Sequence, residues 1–182
     1  MTENQYAKFV APTQLEIIRE LPATRDRVWQ YLVDPELRQK WFCAGATGSD
    51  AGEEFVMDFD HSRISPSPPP ESLGCAADPQ VVRGTILTFD PPNKLAYRWP
   101  GETDDDESIV AIELTQVGEN TRLHLVHSKL SNPDFQKGAS AGWHAHLDLL
   151  VDLIEGVETR DFWVHFQKLQ AEYEQRVAEA TG

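Results

Sequence analysis

Cysteine is scarce in this sequence, basic residues are outnumbered, and long apolar runs are missing. Each shortage excludes something. Two cysteines, Cys43 and Cys75, in a chain of 182 residues cannot make a disulfide framework; they fit a reducing, cytoplasmic setting. No stretch approaches the roughly 20 apolar residues of a membrane-spanning helix. The opening residues, MTENQYAKFVAPTQ, lack a basic start followed by an apolar segment, so no secretory signal is expected. Lysine and arginine total 16 against 30 aspartates and glutamates, a formal net charge of −14. Such a surface repels phosphate backbones and anionic lipid, which excludes nucleic acid and membrane surfaces as partners. Solubility accounts for the charge; an acidic face for a protein partner is the sharper alternative. The densest acidic run, 102–107, reads as a solvated hairpin loop. The glycines at 45, 48 and 52 fit neither GxGxxG nor GxxxxGK[ST], and GxSxG does not occur.

What is present is a globular composition, 40% hydrophobic and 25% charged, in a chain long enough for one domain with a real core. Residues 15–21 read as a strand with Leu15, Ile17 and Leu21 on one face. Thr24 is placed to cap a helix carrying Val28 and Leu32. Asp34-Pro35 then opens a second short helix in which Leu37 and Trp41 share a face. Residues 53–60 alternate, with Phe55, Met57 and Phe59 on one side. The proline-rich stretch 61–80 has neither period and reads as a long mobile loop. Strands resume at 81–89 and 94–99, the latter with Leu95, Tyr97 and Trp99 on one face. A hairpin follows over 108–117 and 120–128, with Leu123, Leu125 and His127 in step. From 140 to 155 the apolar positions Trp143, Leu147, Leu150, Val151 and Ile154, widened by Leu149 and Leu153, cover about half a helix, so this helix is packed on two sides. Gly156 ends it. A last helix from about 160 to 178 carries one stripe, Phe162, Phe166, Leu169, Tyr173 and Val177. Short turns between neighbouring strands and a long helix on one face give an α+β domain with an antiparallel sheet. The single domain spans 13–182: a core at 13–155 and a helical extension at 156–182.

These segments, in order, are similar to a known family. The set is IIRELPATRDRVWQYLVDPELRQKWF, the strand ending FDPPNKLAYRW, the hairpin IELTQVGENTRLHLVHSKL and the helix SAGWHAHLDLLVDLIEG. It resembles the homologues of the activator of heat-shock protein 90 ATPase, in the START-like superfamily that also holds polyketide cyclases. The tail FWVHFQKLQAEYEQRV looks like an extension of stand-alone bacterial members. The resemblance implies a helix-grip fold: a curved sheet wrapped around the long helix, with an apolar cavity between them. It also implies binding of a small hydrophobic or amphipathic molecule without catalysis and without a cofactor. A cyclase- or hydrolase-like activity in the same cavity is one alternative. A co-chaperone or other protein-interaction role, or a homodimer, is another.

The cavity candidates are Trp41, Phe55, Met57, Phe59, Trp99, Leu125, His127, Trp143, His146 and Leu147. The aromatic and sulfur side chains suit an apolar ligand, and Trp41 is a candidate for the mouth. His127 could hydrogen-bond a ligand carbonyl or, with His146, act as acid or base; a satisfied core histidine is the plainer reading. His144 and His146 are about 200° apart on a helix and cannot chelate one metal, so no metal site is assigned. His144, four residues before Asp148, reads as half of a helix-surface pair.

Overall fold

In the computed structural model, residues 6–11, 13–70, 79–101, 107–130 and 133–181 are described. The acidic run at 102–106 and residues 71–78 of the proline-rich stretch, Cys75 among them, lie outside the described residues. The alternating segments form strands: β2 (Gln14–Leu21), β3 (Glu54–Phe59), β4 (Gln80–Asp90), β5 (Lys94–Trp99), β6 (Ser108–Val117) and β7 (Asn120–Ser128). A strand the pattern did not announce, β1 (Lys8–Ala11), precedes them, so the sheet begins ahead of the expected boundary at residue 13. Seven strands run in the order β1-β2-β7-β6-β5-β4-β3, every neighbouring pair antiparallel. The β6–β7 turn is Gly118-Glu119, with Gly118 at φ 61°, where a side chain would be strained. It pairs Val110 with His127 and Ile112 with Leu125, which puts both of those β7 side chains on the core face.

Among the described residues four α-helices accompany the sheet: α1 (Arg25–Val33), α2 (Pro35–Arg38), α3 (Pro133–Glu155) and α4 (Phe162–Thr181). Thr24 precedes α1 but its side chain makes no capping hydrogen bond. Asp34 does cap α2, accepting from the amides of Glu36 at 2.8 Å and Leu37 at 3.4 Å. The long helix α3 starts at Pro133 and is longer than the 140–155 read from its stripe. Gly156, at φ 72°, closes it. Asp161 caps α4 by accepting from the amides of Trp163 and Val164. One side of α3 packs on the sheet and α4 covers the other, so Ala141, Ala145, Leu147, Leu149 and Leu150 are all fully buried.

Part of the 61–80 segment differs from the expected mobile loop. A 3-10 turn at His61–Arg63 is capped by Asp60 and followed by buried Ile64 and Ser65. Ser65 donates its hydroxyl hydrogen bond to Asp161 at 2.5 Å, and the Ile64 carbonyl accepts from the Phe162 amide at 3.4 Å. The segment has no period of its own because its partners lie near residue 161, almost 100 positions away.

The face between α3 and α4 contains buried charge. Asp148, which reads as a surface position, is 5% exposed, and its His144 neighbour is fully buried. Asp148 accepts hydrogen bonds from Arg19 at 3.2 Å, Arg160 at 2.6 Å and His165 at 2.8 Å. His144 Nε2 lies 3.5 Å away. Arg160 also donates to Asp152 at 2.8 Å. Tyr173 of α4 takes a hydrogen bond from the Ala7 amide and gives one to His144 Nδ1 at 3.1 Å. Burial pushes the Asp148 carboxyl up, but His165, His144, Arg19 and Arg160 together outweigh it and hold the group below the usual carboxylate value. Two carboxylates against two guanidiniums leave the patch close to neutral. Removing one member strands the others without water. Asp148→Ala should therefore lower the free energy of urea unfolding by about 3–5 kcal/mol. Lys94→Ala, which breaks the exposed pair with Glu113, should cost under about 1 kcal/mol. Equal small losses from both would show that the network does not hold α4.

Candidate functional site

The local sequence after α2 builds one wall. Arg38 is 1% exposed and spends its guanidinium on backbone. It donates to the carbonyls of Cys43 at 3.1 Å, Ala44 at 3.2 Å, Gly45 at 2.7 Å and Val56 at 2.9 Å, and to the Thr47 hydroxyl. Its guanidinium also lies 4.3 Å over the Phe55 ring. The chain at 43–47 is thereby pinned along β3, and Phe42 is turned inward between Trp41 (5.4 Å) and Trp143 (5.0 Å), stacked on both.

Phe42 forms part of the wall of a cavity of about 220 Å³. Ala139, Gly142, Trp143 and His146 line it from α3, Phe59 and Trp99 from the sheet, His61 and Gln80 from the flanks of the proline-rich segment, and Phe162, Trp163 and Phe166 from α4. The rings hold one another in place: Phe59 stacks on Trp99 at 5.7 Å, His61 on Phe162 at 4.6 Å, and His146 faces Phe162 at 4.4 Å. Behind the Phe42–Trp143 stack lies a second void of only about 10 Å³, reached by Trp41, Phe55 and Tyr97. The fully buried Tyr97 hydroxyl has no hydrogen-bond partner among the described residues.

The ten expected cavity residues therefore divide. Phe59, Trp99, Trp143 and His146 line the main cavity; Trp41 and Phe55 line the small inner void, and Trp41, at 1% exposure, is not at a mouth. Met57, Leu125, His127 and Leu147 line neither and are packed core. Met57 pairs with Val82, and its side chain reaches over the neighbouring Gly84, where an added Cβ would sit 2.5 Å from the Arg98 carbonyl oxygen and 3.3 Å from the Met57 Cε. Phe42, His61, Phe162, Trp163 and Phe166 were not among the ten. A stripe in α4 was legible, but its role as cavity wall depends on where α4 docks. Phe42 follows Trp41 directly, and that aromatic doublet was the available signal.

His127 is engaged on both nitrogens. The Trp143 indole donates to Nδ1 at 3.1 Å, so the ring proton sits on Nε2 and is given to the Ser108 hydroxyl at 2.8 Å. Its chemistry is to hold Trp143 in the wall, which leaves no nitrogen for a ligand carbonyl. His146 Nδ1 lies 2.6 Å from the Trp41 carbonyl oxygen. His144, two residues earlier, turns to Tyr173 on the opposite side of α3. Burial, the dominant cause in each case, pushes the ring pKa down to about 4 at His127, about 3 at His144 and about 3 at His146.

Comparison with known proteins gives a consistent picture. A family model described as Activator of Hsp90 ATPase homolog 1-like protein matches residues 22–155. The solution structure of the protein encoded by gene BPP1335 from Bordetella parapertussis is 31% identical, covering 93% of this chain and 88% of that one, with a TM-score of 0.79. The crystal structure of CalU16 from Micromonospora echinospora is 22% identical, covering 89% and 86%, with a TM-score of 0.66. The Aha1 dimer from Colwellia psychrerythraea is 15% identical, covering 78% and 96%, with a TM-score of 0.59. These last two likenesses are of fold. No curated protein matches. Among the described residues no helix is long and apolar enough to cross a membrane.

The three buried imidazoles set the acid response. Each stays neutral in the folded protein down to its lowered pKa, while in the unfolded chain it binds a proton near pH 6.5. Between those values the unfolded state holds more protons, so stability rises with pH and is lost as pH falls below 6.5. Unfolding near pH 5 should take up about three protons from this source, a slope of about 4 kcal/mol per pH unit. Urea midpoints measured from pH 7 to 4.5 check this; a flat profile down to pH 5 would show that these rings are not buried neutral.

Proposed function

The chain belongs to the Activator of Hsp90 ATPase homolog 1-like family, and from that premise we propose that it binds a small, largely apolar molecule in the aromatic cavity between α3, α4 and the sheet. The carrying observation is the cavity itself. Seven aromatic side chains line about 220 Å³ of space that opens between the two long helices and the sheet. Aromatic walls with few polar groups favour an apolar ligand body, and the volume, below that of most drug-sized sites, fits one or two rings. The site residues on this reading are Phe42, Phe59, Trp99, Trp143, His146, Phe162, Trp163 and Phe166.

The state of the histidines supports binding over turnover. A base whose conjugate acid has a pKa of about 3 or 4 has lost most of its driving force at neutral pH, and neither His127 nor His146 carries a proton to give as an imidazolium. Among the described residues the lining contains no carboxylate. The low cysteine usage supports a cytoplasmic location; Cys43 itself is buried, and burial raises its thiol pKa to about 12, which makes it an inert core group.

Gly142 offers a direct test, because a Cβ there meets nothing nearer than Phe166 at 4.0 Å and points into the space to be filled. Gly142→Leu should abolish binding of a neutral naphthalene dye that the wild type takes at roughly micromolar affinity. It should leave stability equal or higher, since leucine favours helix over glycine by about 0.8 kcal/mol or more. Dye binding unchanged in the variant, or no binding by the wild type, would remove this reading.

A further inference from the structure

The polar anchor of the cavity has a defined hydrogen-bond sense. His146 is 6% exposed and lines the wall. Its Nδ1 lies 2.6 Å from the Trp41 carbonyl oxygen. A carbonyl can only accept, so Nδ1 carries the ring proton. In a neutral imidazole the other nitrogen, Nε2, is then a lone-pair acceptor. No described residue donates to that atom. Ring protonation would give Nε2 a proton as well, but burial keeps the imidazole neutral down to a pKa of about 3. The neighbouring rings fix its direction: Phe42 meets it edge to face at 5.1 Å and Phe162 covers it at 4.4 Å, so it cannot flip without leaving the Trp41 carbonyl. The indole donor of Trp143 is already spent on His127. Gln80, at the exposed rim, can both donate and accept and so does not discriminate. The other polar groups of the lining are the His61 ring and the indole N–H donors of Trp99 and Trp163, so among the described residues His146 Nε2 is the acceptor whose sense is fixed, by the Nδ1 bond to the Trp41 carbonyl.

We propose that the cavity selects an aromatic molecule bearing a hydrogen-bond donor, a phenol-type hydroxyl, and that His146 Nε2 is the acceptor that receives it. This rests on the cavity-binding reading above and adds to it the sign of the anchor. A ligand whose polar group only accepts, a ketone or an ether, would face the Nε2 lone pair and leave it unpaired beside another acceptor. An unpaired buried acceptor is what separates ligands most sharply in such sites. His146 is thus a specificity-determining residue, and its control comes from the backbone of Trp41.

The test compares 2-naphthol, 2-methoxynaphthalene and naphthalene by calorimetry at pH 7. These share one ring body: the first carries a hydroxyl that can donate, the second an ether that only accepts, and the third has no polar group. The wild type should bind 2-naphthol roughly tenfold more tightly than the other two. In His146→Asn the amide nitrogen can still donate to the Trp41 carbonyl while the Nε2 acceptor is gone. There, 2-naphthol should fall to the level of naphthalene, with naphthalene itself unchanged. If none of the three binds the wild type, the cavity reading fails and this one with it. If all three bind alike, or if His146→Asn keeps the preference, the cavity reading stands and the acceptor assignment is overturned. Nitrogen-15 spectra of the wild type are independent of whether the variant folds. They should show His146 as the Nδ1–H tautomer, with an Nε2 resonance that moves on adding 2-naphthol and stays put with 2-methoxynaphthalene. An Nε2–H tautomer would overturn the proposal.

Discussion

Everything in this domain depends on closing the second side of α3. The sheet buries one side with hydrocarbon in the ordinary way. The other side presents Asp148 and Asp152, two carboxylates on a helix that is otherwise core. Left to water, they would keep α4 away and open the aromatic chamber. Arg19 from β2 and Arg160 from the connection into α4 neutralise them, His165 adds a hydrogen bond to Asp148, and Tyr173 bonds the neighbouring His144. Such a network adds little net stability over an apolar contact of the same shape, but it is specific. An apolar stripe could slide on α3, whereas an Arg160 bridging Asp148 and Asp152 fixes where Phe162, Trp163 and Phe166 arrive. The cavity wall is positioned by charge on one side of α3 and built of rings on the other.

That arrangement explains which parts were legible in the sequence. Strand alternation and the half-circumference stripe of α3 are local, and they placed the sheet, the gripped helix and its second cover. What escaped was long-range. Arg19 sits in the alternation of β2 in register with Leu15, Ile17 and Leu21, so its inward position was visible in principle, but its partner is 129 residues away. The pair of His144 and Asp148 at helical spacing looks like a surface pair until α4 covers it. Residues 61–65 have no periodicity because Asp161 and Phe162 hold them. β1 is four residues long and needs β2 as a template.

The candidate site was half legible for the same reason. Inward-facing strand positions say which side chains are buried, but not whether they border space. Phe59 and Trp99 lie toward the open end of their strands and border the cavity, whereas Met57 and Leu125, on the same faces, lie beneath and are packed solid. Phe55 stacks on Tyr97 at 4.3 Å under the Arg38 guanidinium, which closes that end. Phe42 separates the two regions. It is the residue on which the size of the chamber turns, and it is placed by the carbonyl contacts of Arg38.

A chamber of this kind persists only if its walls cannot collapse into it. Two features resist collapse. The rings are large, rigid and mutually stacked, with the Trp143 indole hydrogen-bonded to His127 and the Trp41 indole to the Tyr31 carbonyl at 2.9 Å, so rotation of one breaks a buried hydrogen bond. Two of the four α3 positions that line the space are Ala139 and Gly142, the smallest residues available, at the cost of about 1 kcal/mol of helix propensity at the glycine. A sequence selected only for stability would fill that position, as large-to-small packing energetics favour. Glycine there, opposite Phe166, keeps open the space that the aromatic wall encloses, and the same wall holds the His146 ring to its bond with Trp41. The space and the orientation of its anchor are therefore two consequences of one packing arrangement.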